Sequence, residues 1–395
     1  MTRPLLSASL IVKNEEAYLE GCLLSLRGVA DEVVVVDTGS GDRTRDIAEQ
    51  AGARLFEFPW TSSFSEARNE ALRHCRGEWI LWVDADERLR RVSKVKLTDR
   101  LMDGTKVAYY VLFHRRPGFT PNWQLRLFRN HPRTRYQGVI HEATGIYRGV
   151  DYLCQAERKG IGYSCLVYDH LGYEHNQDQK ARRNLPLLLE ALRQEPERIF
   201  VRCHLARTYA ALGEDSLADE AWKAGIEIVR SKRNLHIGDS YPYVGMIESE
   251  IRKGRHPSDL VMEARQLFPG NLQLLWYQGR LWMDEGRYRE AVPLFQQLAE
   301  CGTTNNFDHS IGYDQRLLYE CAFESLAECH HHLETLVESG QYSQLAEQCR
   351  TRRGNDGGKR TSIGKLSALS LEFPGYYGQI RHRDENPDPG LYRLD

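Results

Sequence analysis

The chain has 395 residues, 41% hydrophobic and 27% charged, with Lys+Arg 53 against Asp+Glu 55 and a formal net charge of -2. That length accommodates two domains with separate cores, and the near-neutral balance supplies no global basic field for nucleic acid or an anionic membrane, a local basic groove aside. No apolar run approaches the ~18 residues of a membrane span. The apolar stretch 5–12 runs straight into Lys13-Asn14-Glu15-Glu16, which suits a buried strand and not a signal peptide. Nine scattered cysteines, never in a C-x-x-C pair, predict reduced thiols and a cytoplasmic setting.

Strand and helix alternate through the first third. Residues 5–12 predict a strand, and Leu19, Cys22, Leu23 and Leu26 then recur at the spacing of one helix face. A β-branched run over 32–37 ends on a carboxylate, a tight loop follows over 38–42, and a second helix is expected over 44–51. Residues 54–58 read as a third strand. Ser63 and Glu66 have the spacing of a capping box, opening a helix that packs Phe64, Ala67, Ala71 and Cys75. A fourth strand over 79–83 ends on Asp84. Unbroken apolar strands separated by helices predict a parallel sheet covered on both faces.

Beyond residue 105 the pattern turns β-rich, with strands expected over 107–113, 124–129 and 163–168. From about 180 it turns helical. Leu205, Ala206, Tyr209, Gly213 and Ala221 recur loosely as Gly279, Trp282, Gly286 and Ala291, at about two periods of the ~34-residue helix-turn-helix repeat. A short tetratricopeptide-like array is therefore expected, with its middle unit, around 243–269, poorly marked. His330-His331-His332 falls on a helix, where consecutive side chains diverge, and reads as an exposed patch and not a metal site. The organisation expected is a catalytic domain over 1–180, a helical domain over 181–350, and a Gly-rich joint and tail over 351–395.

In an open parallel sheet, ligands bind outside the carboxyl ends of the strands. Three signals fall there: Lys13 to Glu16 after the first strand, Asp37 after the second, and Asp84 and Asp86 after the fourth. Several carboxylates gathered in one cleft repel one another unless a cation is present. Dense oxygen ligands suit Mg²⁺ or Mn²⁺, which bind through a few carboxylates and phosphate oxygens. The arrangement asks for a phosphorylated ligand. A D-x-D tripeptide alone says little, and its placement after an apolar strand, with Asp37 upstream, gives it weight.

Ser9 to Glu16, Asp31 to Ser40, Phe64 to Asn69 and Asp84 to Glu87 together resemble family 2 glycosyltransferases of the GT-A fold. Arg126-Leu127-Phe128-Arg129 followed by Gly138-Val139-Ile140-His141-Glu142 is similar to a narrower branch, that of lipopolysaccharide-core glucosyltransferases and peptide S-glycosyltransferases. In that branch a tetratricopeptide-like region often follows the catalytic domain. The resemblance covers roughly residues 5–215 and implies a fold: an α/β GT-A nucleotide-sugar domain with a mostly parallel sheet, then an all-α helical region. It also implies roles. Asp37 would hydrogen-bond the nucleotide base, and Asp84 would sit near the ribose and metal. Asp86 would be the principal metal ligand. Arg68 and Asn69 would line the nucleotide pocket, with Val12, Asn14, Glu16 and Ala85 counted alongside them. Inverting transfer also needs a base: Glu142 is the first choice, His141 the second and Asp169 the third, while His170 could instead complete the metal site. Arg126 could pair with a phosphate oxygen. Trp123 could face sugar or remain core, and Lys180, Arg182 and Arg183 could reach the diphosphate or form a solvated helix face.

The expected activity is metal-dependent hexosyl transfer from a nucleoside-diphosphate sugar, uridine diphosphate by default, to a peptide, protein or saccharide acceptor. A sugar nucleotidyltransferase would need a Gly-rich basic loop after the first strand, where this chain has Lys13-Asn14-Glu15-Glu16. No G-x-G-x-x-G follows that strand either, which disfavours an NAD enzyme. A peptide-binding repeat adaptor with a spent transferase domain, and glycosylation of a modified base in DNA, stay open as alternatives. The helical region is also a surface through which the chain could pair with its own copy.

Overall fold

The structure is a computed structural model that describes residues 3–90, 92–114, 118–172 and 177–355. They form two units: residues 3–114 and 123–172 make one, residues 118–122 and 177–355 the other.

The first unit is built on one eight-stranded sheet. Its elements are β1 (Leu6–Val12), α1 (Leu19–Leu26), β2 (Glu32–Asp37), α2 (Thr44–Gln50), β3 (Arg54–Glu57), α3 (Phe64–His74), β4 (Trp79–Trp82) and β5 (Glu87–Leu89). There follow α4 (Lys94–Met102), β6 (Lys106–His114), β7 (Asn122–Arg129), α5 (Thr144–Glu157) and β8 (Gly160–His170). The strand order is β3-β2-β1-β4-β7-β6-β8-β5. The expected parallel core is present, with β1 pairing parallel to both β2 and β4, and β2 to β3. Past β4 the sheet becomes mixed: β7 runs antiparallel to β4 and β5 to β8, while β6 and β8 are parallel.

Side-chain alternation splits the core between the two faces. Leu6, Ala8, Leu10 and Val12 of β1 join Val35, Leu81 and Val111 in the cluster that α1 and α4 cover through Leu19, Leu23, Leu97 and Leu101. On the opposite face Val34, Val36, Ile80 and Leu112 pack against Ala71 and Leu72 of α3 and Ile146 and Val150 of α5. Helix α3 begins as expected, with Ser63 as N-cap and its Oγ accepting from the Glu66 N–H.

Three elements escaped the sequence reading: β5, α4 and α5. Helix α5 lies in the stretch read as β-rich, and Gly145 and Gly149 disguise it. A Cβ on Gly145 would fall 2.1 Å from the Arg135 carbonyl oxygen, and one on Gly149 would fall 2.3 Å from that of Arg133. Close approach of the 133–137 segment requires both glycines, which propensity alone scores as helix breakers.

The second unit is helical: α6 (Gln177–Gln194), α7 (Ile199–Ala211), α8 (Asp215–Ser231), α9 (Tyr241–Arg252), α10 (Ser258–Leu267), α11 (Leu272–Asp284), α12 (Tyr288–Thr304), α13 (Gln315–Leu318), α14 (Glu320–His332) and α15 (Leu336–Asn355). Four helical hairpins, α7/α8, α9/α10, α11/α12 and α14/α15, turn the same way. Gly213, Gly254, Gly286 and Glu334 each have φ between 61° and 81°. The next N–H in each case reaches back into the preceding helix, as from Glu214 to the Tyr209 oxygen and from Arg255 to the Glu250 oxygen. The poorly marked middle repeat is thus a full hairpin, α9/α10. His331 and His332 are exposed, and His332 stacks on Tyr288 at 4.1 Å. Helix α15 runs through residue 355, the start of the segment expected to be a joint; the remainder of the expected joint and tail lies outside the described residues. All nine cysteines are free thiols. Among the described residues no helix is long and apolar enough to cross a membrane.

Candidate active site

The carboxyl ends of β1, β2 and β4 meet at one edge because these strands are parallel neighbours. After β1 the chain turns through Asn14 at φ 55°. Its side chain does not line an open cleft: Asn14 Oδ1 accepts from the Gly41 N–H at 2.8 Å, and Glu16 Oε2 accepts from the Arg43 N–H at 3.1 Å. Both residues lace the first loop to the second. The Val12 carbonyl does the same, accepting from the Thr38 N–H and hydroxyl.

Asp37 ends β2 at 2% exposure. Its Oδ1 accepts from the N–H groups of Gly39 and Ser40, both at 2.9 Å, which shapes the following loop. Its Oδ2 is buried and has no hydrogen-bond partner. A buried acceptor without a donor is costly.

After β4 the Asp84-Ala85-Asp86-Glu87 turn closes on itself. The Asp84 N–H donates to Glu87 Oε2 at 2.9 Å, and the Glu87 N–H donates to the Asp84 oxygen at 3.1 Å. Asp84 lies amid cations: Arg68 Nη2 donates to Oδ1 at 2.8 Å, Trp82 Nε1 to the same oxygen at 3.2 Å, and Arg126 Nη1 to Oδ2 at 3.4 Å. Burial alone would raise the Asp84 carboxyl, but Arg68 and Arg126 outweigh it and hold the group well below the usual range. Both guanidinium groups lie over the Trp82 ring, Arg126 at 3.9 Å and Arg68 at 4.5 Å from its centroid. Fully buried Glu87 meets Arg126 Nη2 at 3.1 Å. Burial pushes the Glu87 carboxyl up to about 8. Ala85 is 4% exposed and offers a ligand little beyond backbone.

Asp86 points elsewhere. Its Oδ2 lies 3.3 Å from His170 Nε2 at the end of β8. A Cβ on Gly172 would meet that oxygen at 1.9 Å, so only glycine leaves room for the carboxylate there. Asp86 and His170 therefore come together, while Asp84 is taken up by arginines. Among the described residues no group of three or more His, Cys, Asp or Glu is arranged to hold a metal.

Both ends of the Asn69 amide bind the Tyr136 backbone at 2.9 Å, so Asn69 anchors a loop. Trp123 is 7% exposed and packs edge-on against Tyr163 at 4.8 Å, a core residue and not a sugar platform. Arg126 reaches Gln124 through Nε, Asp84 through Nη1 and Glu87 through Nη2. Asp169 has both oxygens on Arg90, at 2.9 and 2.7 Å. Glu142 Oε1 accepts from Arg68 Nε at 2.5 Å, and His141 beside it has φ 54°. Lys180, Arg182 and Arg183 belong to α6, where Arg182 and Arg183 are exposed. Sequence reasoning missed Trp82 and Arg90 altogether. An aromatic residue just before a D-x-D was the available signal for the first; nothing local pointed to the second.

The sheet and its helices define an α/β domain with a parallel core that becomes mixed past β4. Residues 7–161 match the family model Glycosyl transferase family 2. Among curated relatives, it is 42% identical over 138 residues to a TPR repeat-containing protein of Synechococcus elongatus, covering 34% of each. It is 29% identical over 203 residues to the prophage-derived glycosyltransferase SunS of Bacillus subtilis, covering 49% of this chain and 46% of that protein. The chain thus spans about a third to about half the length of these relatives. Among solved structures, Staphylococcus aureus TarS in complex with UDP-GlcNAc aligns at a TM-score of 0.37 and 16% identity, over 64% of this chain and 93% of that one.

Proposed function

We propose that the chain is an inverting, metal-dependent hexosyltransferase. It would take a nucleoside-diphosphate hexose, with uridine preferred, and pass the hexose to a peptide, protein or saccharide acceptor. The observation that carries the reading is the buried, partnerless Asp37 Oδ2 at the carboxyl edge of the sheet. A ring N–H of the nucleotide base, such as uracil presents, would satisfy it.

Asp86 and His170 fit a divalent ion. Two ligand atoms about 3 Å apart are what two bonds of ~2.1 Å to one Mg²⁺ or Mn²⁺ produce, with diphosphate oxygens and water completing the shell. When bound, that ion would screen the diphosphate and stabilise it as a leaving group. The remaining work falls to the chain. Asp37 holds the base, and the Asn14–Gly41 and Glu16–Arg43 bonds keep the two loops around it in place. Asp84, 32% exposed at its side chain, presents a carboxylate to the ribose. The acceptor's nucleophilic atom attacks the anomeric carbon from the face opposite the diphosphate. The bond from that carbon to the diphosphate oxygen breaks, and the acceptor's proton passes to His141 or to Asp169. The free thiols fit a reducing, cytoplasmic setting. The test is release of nucleoside diphosphate from a panel of nucleotide sugars, with and without Mn²⁺ or Mg²⁺. Failure of all of them to bind or react sinks the reading.

A further inference from the structure

Resting on the transferase reading, we infer that Glu142 is a positioning residue, the strut that aims Arg68 at Asp84, and not the base. Five ionisable side chains, carboxyl and guanidinium in alternation, run between the 141–142 turn and the D-x-D turn: Glu142, Arg68, Asp84, Arg126 and Glu87. Their contacts are 2.5, 2.8, 3.4 and 3.1 Å in that order. Arg68 is the hinge of this chain. Its Nε donates to Glu142 and its Nη2 to Asp84, so two carboxylates fix the plane of one guanidinium group. That plane lies over Trp82 and also faces Tyr136 at 5.6 Å. Four of the five members are nearly sealed, with Glu142 at 6%, Arg68 at 8%, Arg126 at 7% and Glu87 at 0% exposure. Asp84 alone keeps its side chain open, at 32%. The buried members therefore set where the one exposed carboxylate stands. Glu142, 74 residues along from Arg68 in sequence, is the end of the chain anchored on another loop. A base must meet the acceptor's proton, whereas Glu142 commits an oxygen to a guanidinium inside the protein.

Substitutions separate strut from base. Glu142→Gln keeps an oxygen that accepts from Arg68 Nε, so kcat should stay within about fivefold and the acidic limb of the pH–rate profile should not move. Glu142→Ala removes the strut and should raise the donor KM about tenfold or more with a smaller effect on kcat. Arg68→Lys should follow Glu142→Ala, because an ammonium cannot hold two carboxylates in one plane. A thousandfold-scale loss of kcat in Glu142→Gln at unchanged donor KM, or disappearance of its acidic limb, makes Glu142 the base and overturns the inference. A crystal structure of Glu142→Ala tests the strut without turnover: the Arg68–Asp84 contact should open beyond 2.8 Å, and an unmoved guanidinium refutes it. If the unaltered chain uses no nucleotide sugar, the transferase reading fails while this structural readout still decides the role of Glu142.

Discussion

On the proposed reading, Asp37 separates binding from chemistry at a single atom. Replacing it with Asn turns the partnerless Oδ2 position into an amide that cannot accept as a carboxylate does. Donor KM should rise roughly tenfold to a hundredfold with kcat little changed, since the contact acts equally in ground and transition states. Steady-state kinetics over a donor titration measure this. Asn69→Ala should do the reverse: the melting temperature falls because the Tyr136 loop loses both its tethers, and donor KM stays near that of the unaltered chain. The positions of Asp37 and Asp84 at the carboxyl edge of the sheet were legible in the sequence, because a carboxylate at the end of an apolar parallel strand lands there whatever the rest of the chain does. The partners of Asn69, Arg126 and Trp123 were not legible, for a shared reason. Each residue is consumed by a partner distant in sequence, on the Tyr136 backbone, the D-x-D turn or the Tyr163 ring, and no local pattern records such partners.

Among elements, the repeated turns give the sharpest contrast. Gly254 occupies the left-handed region at φ 72°, where Glu334 sits at φ 61° in the equivalent turn. Gly254→Ala should destabilise by about 1 kcal/mol, and Glu334→Gly should stabilise by a similar or smaller amount, because only glycine takes this conformation without cost. Urea melts of the two variants check both signs. The flanking hairpins were readable from Gly213 and Gly286 with their apolar neighbours. The middle one was poorly marked because its first helix, α9, is buried almost throughout and so lacks the amphipathic rhythm that marks a half-exposed helix. Helix α5 was hidden differently, by two glycines kept for close packing. The parallel strands, by contrast, were legible as unbroken β-branched and apolar runs, and their boundaries fell within a residue or two of the observed ones.

For the molecule as a whole, pH acts on stability through a buried acid outside the site. Glu248 on α9 is 7% exposed. It accepts from Gln273 Nε2 at 3.0 Å. Burial pushes its carboxyl up to about 7, with Arg207 and Arg252 opposing. Its folded value lies above its unfolded one, so its stabilising contribution is complete below about pH 4.5 and is lost as the pH rises through about 7, on the order of 3 kcal/mol in all. Glu248→Gln should flatten that slope in urea melts run from pH 4 to 8. The central claim concerns the other unit and is tested most directly by one titration. Nucleoside diphosphate released from a uridine diphosphate hexose is followed against Mn²⁺ concentration, for the unaltered chain and for Asp86→Asn. The account requires release that saturates with metal in the first and falls by about a hundredfold or more in the second. Metal-independent release, or full turnover by Asp86→Asn, contradicts it.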